Sequence, residues 1–171
     1  MEINQLVAGF SSGDAISNYA RELRKIFRSW GLRSEIYVQP SSIDPRVIDL
    51  CRPMREHQDH SSAENIMIYH FSIGAMASEY FRNIPDRRMI IYHNITPSHY
   101  FELVKPDLAA FLKKGRRELL ELAPVTDLAL GVSEYNRREL EEAGFQKTGV
   151  LPLTVDWSGM EKKKKKRLLR K

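Results

Sequence analysis

Two short apolar runs organise the chain. Asn65-Ile66-Met67-Ile68-Tyr69 and Met89-Ile90-Ile91-Tyr92 are continuous rather than alternating and too brief for helices, which predicts central parallel strands covered on both faces. Each run stops at a histidine, His70 in the first and His93 in the second. Around them the pattern alternates between strand and helix. Ile3 to Phe10 reads as a first strand. Ile16, Tyr19, Ala20, Leu23, Ile26, Phe27 and Trp30 then recur three and four apart, predicting a helix that Gly31 stops. Ser34 to Val38 alternates as a second strand, and Pro40 to Ser62 is irregular apart from a short helix from Asp44-Pro45 to Leu50. A helix through Phe81 follows Phe71-Ser72-Ile73-Gly74. Pro106-Asp107 opens another, with Leu108, Phe111, Leu112, Gly115, Leu119 and Leu122 on its predicted buried side and Pro124 closing it. Gly115 costs about 1 kcal/mol against Ala in mid-helix, so close packing is its expected reason. Leu128 to Val132 is a fifth strand, Ser133 caps a helix ending at Gly144, and Gly149 to Leu153 is a sixth strand. The alternation predicts an α/β fold: a Rossmann-like parallel sheet with helices on both faces, one domain over residues 1 to 157.

In open α/β sheets ligands sit beyond the carboxyl ends of the strands. Two buried strands that each end in a histidine therefore set two imidazoles on that edge, beside the turn Ser11-Ser12-Gly13-Asp14. With Gly9 and Gly13 alone, the turn meets neither the three-glycine dinucleotide fingerprint nor the phosphate-loop motif. It still offers the amino end of a long helix, whose N–H groups and dipole can hold a phosphate or sugar oxygen. Helix capping by Asp14 is the plainer reading of the same residues. The polar loop His93-Asn94-Ile95-Thr96-Pro97 completes the candidate edge.

Composition narrows the class. At 171 residues and 42% apolar, the chain can bury about 70% of its unfolded surface in one core. Cys51 is the sole cysteine, which excludes an internal disulfide, points to a reducing compartment and leaves Cys51 as an inert helix residue. No apolar run approaches the roughly 18 residues of a membrane span, and the amino terminus lacks a secretory pattern, so the expected location is cytoplasmic. The net charge of +5 is uneven: residues 161 to 171 carry eight Lys or Arg and one Glu, a balance of +7, which leaves five less seven, −2, on the rest. A slightly acidic body argues against a nucleic-acid partner, which would draw basic groups onto the folded face. The basic tail, residues 158 to 171, reads as a solvated linker, with peripheral contact to an anionic membrane surface as the sharper alternative. His57, Asp59 and His60 lie close together, but two histidines without a further protein ligand are weak evidence for zinc. They are read as a solvated loop, and no metal is assigned.

Five segments carry a resemblance. His70-Phe71-Ser72-Ile73-Gly74, Tyr92-His93-Asn94-Ile95-Thr96-Pro97, Gly115-Arg116-Arg117-Glu118-Leu119, Ser133-Glu134-Tyr135-Asn136 and Val150-Leu151-Pro152 resemble the amino-terminal domain of the retaining glycosyltransferases of family four. The turn Gly13-Asp14-Ala15-Ile16 falls where that family has its glycine-rich loop, and the likeness spans residues 1 to 157 in order. It implies the acceptor-side half of a type B architecture, in which two Rossmann-like domains face each other across a cleft. It also implies a nucleotide-sugar donor as co-substrate, no cofactor, and a sugar, lipid-linked or polysaccharide acceptor. By this resemblance His93 is the catalytic-site residue that orients the transferring sugar. Gly13, Asp14 and Ala15 meet phosphate or acceptor, while His70, Ser72, Asn94, Thr96 and Ser133 line the substrate side. Transfer would retain anomeric configuration, the leaving diphosphate helping to deprotonate the acceptor hydroxyl.

The departure is the donor domain, which is missing, and the chain is expected to be inactive without it. Glu134 and Glu142 have the spacing of that domain's acidic pair, but they sit in a solvated helical context and are read as coincidence. A non-catalytic Rossmann-like binding or interaction module is the alternative from another class.

Overall fold

Burial follows apolar continuity. The computed structural model describes residues 1–154, so the expected Val155-Asp156-Trp157 exit and the basic tail lie outside it. The strands are β1 (Ile3–Val7), β2 (Ile36–Val38), β3 (Arg52–Pro53), β4 (Ile66–Phe71), β5 (Arg87–Tyr92), β6 (Leu128–Gly131) and β7 (Thr148–Val150). The helices are α1 (Ala15–Ser29), α2 (Met76–Asn83), α3 (Pro106–Leu122) and α4 (Glu134–Glu142). All seven strands are parallel, in the order β3-β2-β1-β4-β5-β6-β7. The two continuous runs become β4 and β5, neighbours at the centre, with His70 opposite Ile91 and Phe71 opposite Tyr92.

Strand order reverses between β1 and β4, so the crossovers on either side pass over opposite faces. Tyr19, Leu23 and Phe27 of α1 pack on Ile68 and Ile91 on one face. Leu112, Leu119 and Leu122 of α3, with Ala77 and Phe81 of α2, cover Met67, Tyr69, Ile90 and Tyr92 on the other. This is the Rossmann-like arrangement of one domain, and its switch point lies between the carboxyl ends of β1 and β4.

Four details differ from expectation. The irregular stretch hides an edge strand, β3, of two residues, one of them Pro53. No period can be read from two residues, and proline at a sheet edge removes the usual strand signal. Phe111 faces outward at 54% exposure, although its spacing put it on the buried side of α3. Cys51 follows the 3₁₀ segment Pro45–Leu50 rather than sitting in a helix, and burial pushes its thiol up. His57, expected in a solvated loop, is fully buried. Its ring lies 2.7 Å from Tyr80 Oη and 3.2 Å from Asp86 Oδ1, while Asp86 also accepts from Ser61 Oγ and Ser62 N. Asp59 and His60 remain exposed.

The mid-helix glycine is explained by its neighbour. A Cβ on Gly115 would lie 2.7 Å from Gly74 N, closer than van der Waals contact allows, so α3 seats its backbone directly on the segment leading into α2. Glu118, one turn on, accepts from Ala75 N at 3.1 Å and Ser78 Oγ at 2.7 Å, holding the start of α2. No helix among the described residues is long and apolar enough to cross a membrane.

Candidate functional site

The first wall of the site is the turn between β1 and α1. Gly13 has φ +81, a backbone that a side chain on L residues resists, and it lets the chain reverse into α1. Asp14 then caps the helix, its Oδ2 accepting from Ser17 N at 2.8 Å and Ser17 Oγ at 2.7 Å. Ser17 Oγ in turn accepts from Ser11 N at 3.1 Å, so the turn is tied to the helix it opens. The capping and binding readings of Asp14 are compatible, because the cap engages one carboxylate oxygen.

The second wall is the pair of histidines at the ends of β4 and β5. Residues alternate across a strand, so His70 projects to the face opposite Tyr69 and meets α1. His93 follows Tyr92 by one residue and lands on the same face. The rings lie nearly parallel, 21° apart with centroids at 5.3 Å, and His70 Nδ1 stands 3.0 Å from His93 Nε2. His70 Nε2 is 2.9 Å from Gln5 Oε1 on β1, and Gln5 Nε2 donates to Ala20 O at 3.0 Å on α1. Tyr19 stands edge-on to both imidazoles, with centroids at 5.9 Å and 6.0 Å. A chain of polar contacts therefore runs from α1 through β1 and β4 to β5.

Burial sets the charge state. It drives His70 well below the ordinary histidine range, with the neighbouring His93 adding to the effect. It lowers His93 to about 4 despite the Asp14 carboxylate, which pulls the other way. Both rings are neutral at pH 7. Two polar atoms of this group, His93 Nδ1 and Tyr19 Oη, are buried without a partner among the described residues. An unsatisfied buried polar group costs about 1–3 kcal/mol, and the site carries two.

The loop after β5 is held by residues that no local pattern flagged. Asn94 has φ +78, turning the chain sharply after His93. Ile95 is fully buried, its N–H donating to Tyr92 Oη at 3.1 Å and its carbonyl accepting from Arg116 Nη2. Arg116 also donates to Glu139 Oε1 at 2.7 Å, and Tyr92 Oη donates to Glu139 Oε2 at 3.1 Å, which fastens the loop to α3 and α4.

Around these walls lie two cavities. One, of about 240 Å³, is lined by Gly9, Ser11, Asp14, Ser42, His70 and Ser72. Another, of about 570 Å³, is lined by Gly13, Ala15, Tyr19 and Thr154 among others. The glycine turn contributes to both. Of the residues singled out by sequence, Asp14, His70 and Ser72 share the smaller cavity, Gly13 and Ala15 the larger. His93, Asn94 and Thr96 line neither, and the last two are exposed. Ser133 is occupied as the α4 cap, accepting from Asn136 N at 3.2 Å. A depression of about 420 Å³ at the opposite edge of the sheet is lined by charged groups, but these pair among themselves, Arg28 with Glu35 at 2.7 Å and Arg33 with Glu2 at 3.2 Å.

Gln5, Tyr19, Arg116 and Glu139 were not anticipated as site residues. Gln5 had one available signal: a carboxamide inside an apolar strand must find a buried partner. Compared with known families and with curated proteins, the chain matches no family model and no curated protein.

Proposed function

We propose that the protein is the acceptor-side half of a retaining glycosyltransferase, moving a sugar from a nucleotide-sugar donor to an acceptor hydroxyl. The single observation that carries this reading is the contact of the His93 ring with the His70 ring, which shares a cavity with Asp14 of the glycine turn beside the switch point of a parallel sheet. Backbone N–H groups of Gly13, Asp14 and Ala15, at the amino end of α1, are suited to diphosphate oxygens, and a neutral imidazole at His93 to a sugar hydroxyl. Ser72 is suited to the acceptor. In this reading Asn94 and Thr96 act at the rim.

Among the described residues no carboxylate bonds either imidazole, so catalysis would rest on positioning and on stabilising the departing diphosphate. His93 would orient the sugar by hydrogen bonding. Completion of the site requires a second Rossmann-like domain to hold the nucleotide, and turnover by the 171-residue chain alone is expected to be absent.

Calorimetry of the chain with nucleoside diphosphates and their sugar conjugates tests the proposal. Weak binding that is lost in His93→Ala, with no release of nucleoside diphosphate, is the expected result. Multiple turnover by the chain alone would overturn the half-site reading, and absence of binding to every conjugate would overturn the assignment to sugar transfer.

A further inference from the structure

The donor and acceptor roles along the polar chain are fixed one by one. Ala20 O can only accept, so the Gln5 atom facing it is the amide nitrogen, and Oε1 is the atom facing His70. Gln5 Oε1 can only accept, so His70 Nε2 carries the hydrogen. His70 is buried and neutral, hence its Nδ1 bears a lone pair. That lone pair faces His93 Nε2 at 3.0 Å, so His93 Nε2 must be the donor. A neutral His93 then has its own lone pair on Nδ1, the buried ring atom without a partner among the described residues.

We propose that Gln5 and His70 are positioning residues that hold His93 in its Nε2–H tautomer, so that Nδ1 of His93 accepts a hydrogen bond from a hydroxyl of a neutral, sugar-like ligand. The identity of that ligand rests on the glycosyltransferase reading; the tautomer does not. An imidazole held this way selects a group that carries a proton and turns away a bare anion. The preference is imposed by a backbone carbonyl on α1, three side chains removed. Asp14, the α1 cap whose carboxylate acts on His93, also disfavours an anion at this ring.

Nitrogen-15 NMR of the full chain, with histidines labelled at both ring nitrogens, tests this at pH 7. The expected spectrum shows His93 and His70 each protonated at Nε2 and bare at Nδ1. A hydrogen on His93 Nδ1 would overturn the proposal before any ligand is added. Gln5→Leu supplies a second arm. It removes the acceptor that fixes the hydrogen on His70 Nε2, so His70 can carry it on Nδ1 and donate to His93 Nε2, whose own hydrogen then sits on Nδ1. A mixture of the two His93 tautomers is expected in place of one. A merely structural Gln5 would change stability and leave the single Nε2–H tautomer, which would contradict the proposal.

The ligand half uses uridine diphosphate glucose, guanosine diphosphate mannose and the two parent diphosphates. The sugar conjugates are expected to shift His93 Nδ1 and the parent diphosphates to leave it unmoved, with affinity for the conjugates falling at least twofold in Gln5→Leu as the competent tautomer is diluted. The expected tautomer with no response to either conjugate would sink the sugar assignment while leaving the positioning role of Gln5 and His70 standing. Conjugate binding with the opposite tautomer would do the reverse.

Discussion

A Cβ placed on Gly115 would stand 2.7 Å from the backbone nitrogen of Gly74, so α3 and the entry to α2 touch main chain to main chain. In an open helix Gly→Ala gains about 1 kcal/mol. Here the methyl must push backbone aside, and overpacking of that kind costs about 1–3 kcal/mol. Gly115→Ala is therefore expected to lower unfolding stability by about 1 kcal/mol in urea denaturation. A gain in stability would show that the contact is looser than described.

The buried cluster under the α2 helix gives a second prediction. Burial raises the Asp86 carboxyl, but hydrogen bonds from His57 and Ser61 outweigh it and hold the group below its ordinary range. Asp86→Ala strands His57 and Ser61 at once, and leaving a buried polar group unsatisfied costs about 1–3 kcal/mol. Equilibrium unfolding should show a loss of that order. A loss under 1 kcal/mol would mean the cluster is incidental.

That cluster also marks the limit of what could be read from the chain. The strands at Ile66–Phe71 and Arg87–Tyr92, the helices and the two terminal histidines were legible because each signal is local: an unbroken apolar run, a three-and-four spacing, a proline or glycine stop. His57 looked solvated because its partners, Tyr80 and Asp86, are 23 and 29 residues away. Gln5 and His70 are 65 apart. Phe111 broke the rule in the other direction, since the stripe on α3 that meets the sheet is narrower than the spacing of apolar residues along it. Which edge gathers the two histidines and the glycine turn was visible; which atoms face one another was not.

The buried histidines predict a pH dependence. In the unfolded chain they titrate near 6.5, whereas folded His93 does so at about 4 and burial also holds His70 well below its ordinary range. Between these limits the unfolded state binds more protons, so stability is full above about pH 6.5 and falls as pH drops. The slope approaches about 1.4 kcal/mol per pH unit for each histidine. Urea midpoints measured from pH 7 to 4.5 should show this decline, and His93→Gln should remove about one proton from the slope. An unchanged slope in the variant would contradict a neutral, buried His93.

Asp14 acts on His93 from the helix cap. Its carboxylate raises the His93 value against the larger effect of burial, so neutralising it should lower that value further. Asn caps helices about as well as Asp, which makes Asp14→Asn nearly neutral for folding. An NMR titration of His93 in this variant should move to lower pH. Movement to higher pH would mean that the turn and the ring do not face each other as described.

The proposed function requires that sugar be held at the carboxyl edge between β1, β4 and β5. Amide chemical-shift mapping of the 171-residue chain, titrated with nucleoside diphosphate sugars, tests this most directly. The predicted response is confined to Gly13, Asp14, Ala15, His70, Ser72 and His93, with Asn94 and Thr96 at the rim. A response centred on the Arg28 and Arg33 depression at the far edge, or none with any conjugate, would contradict it.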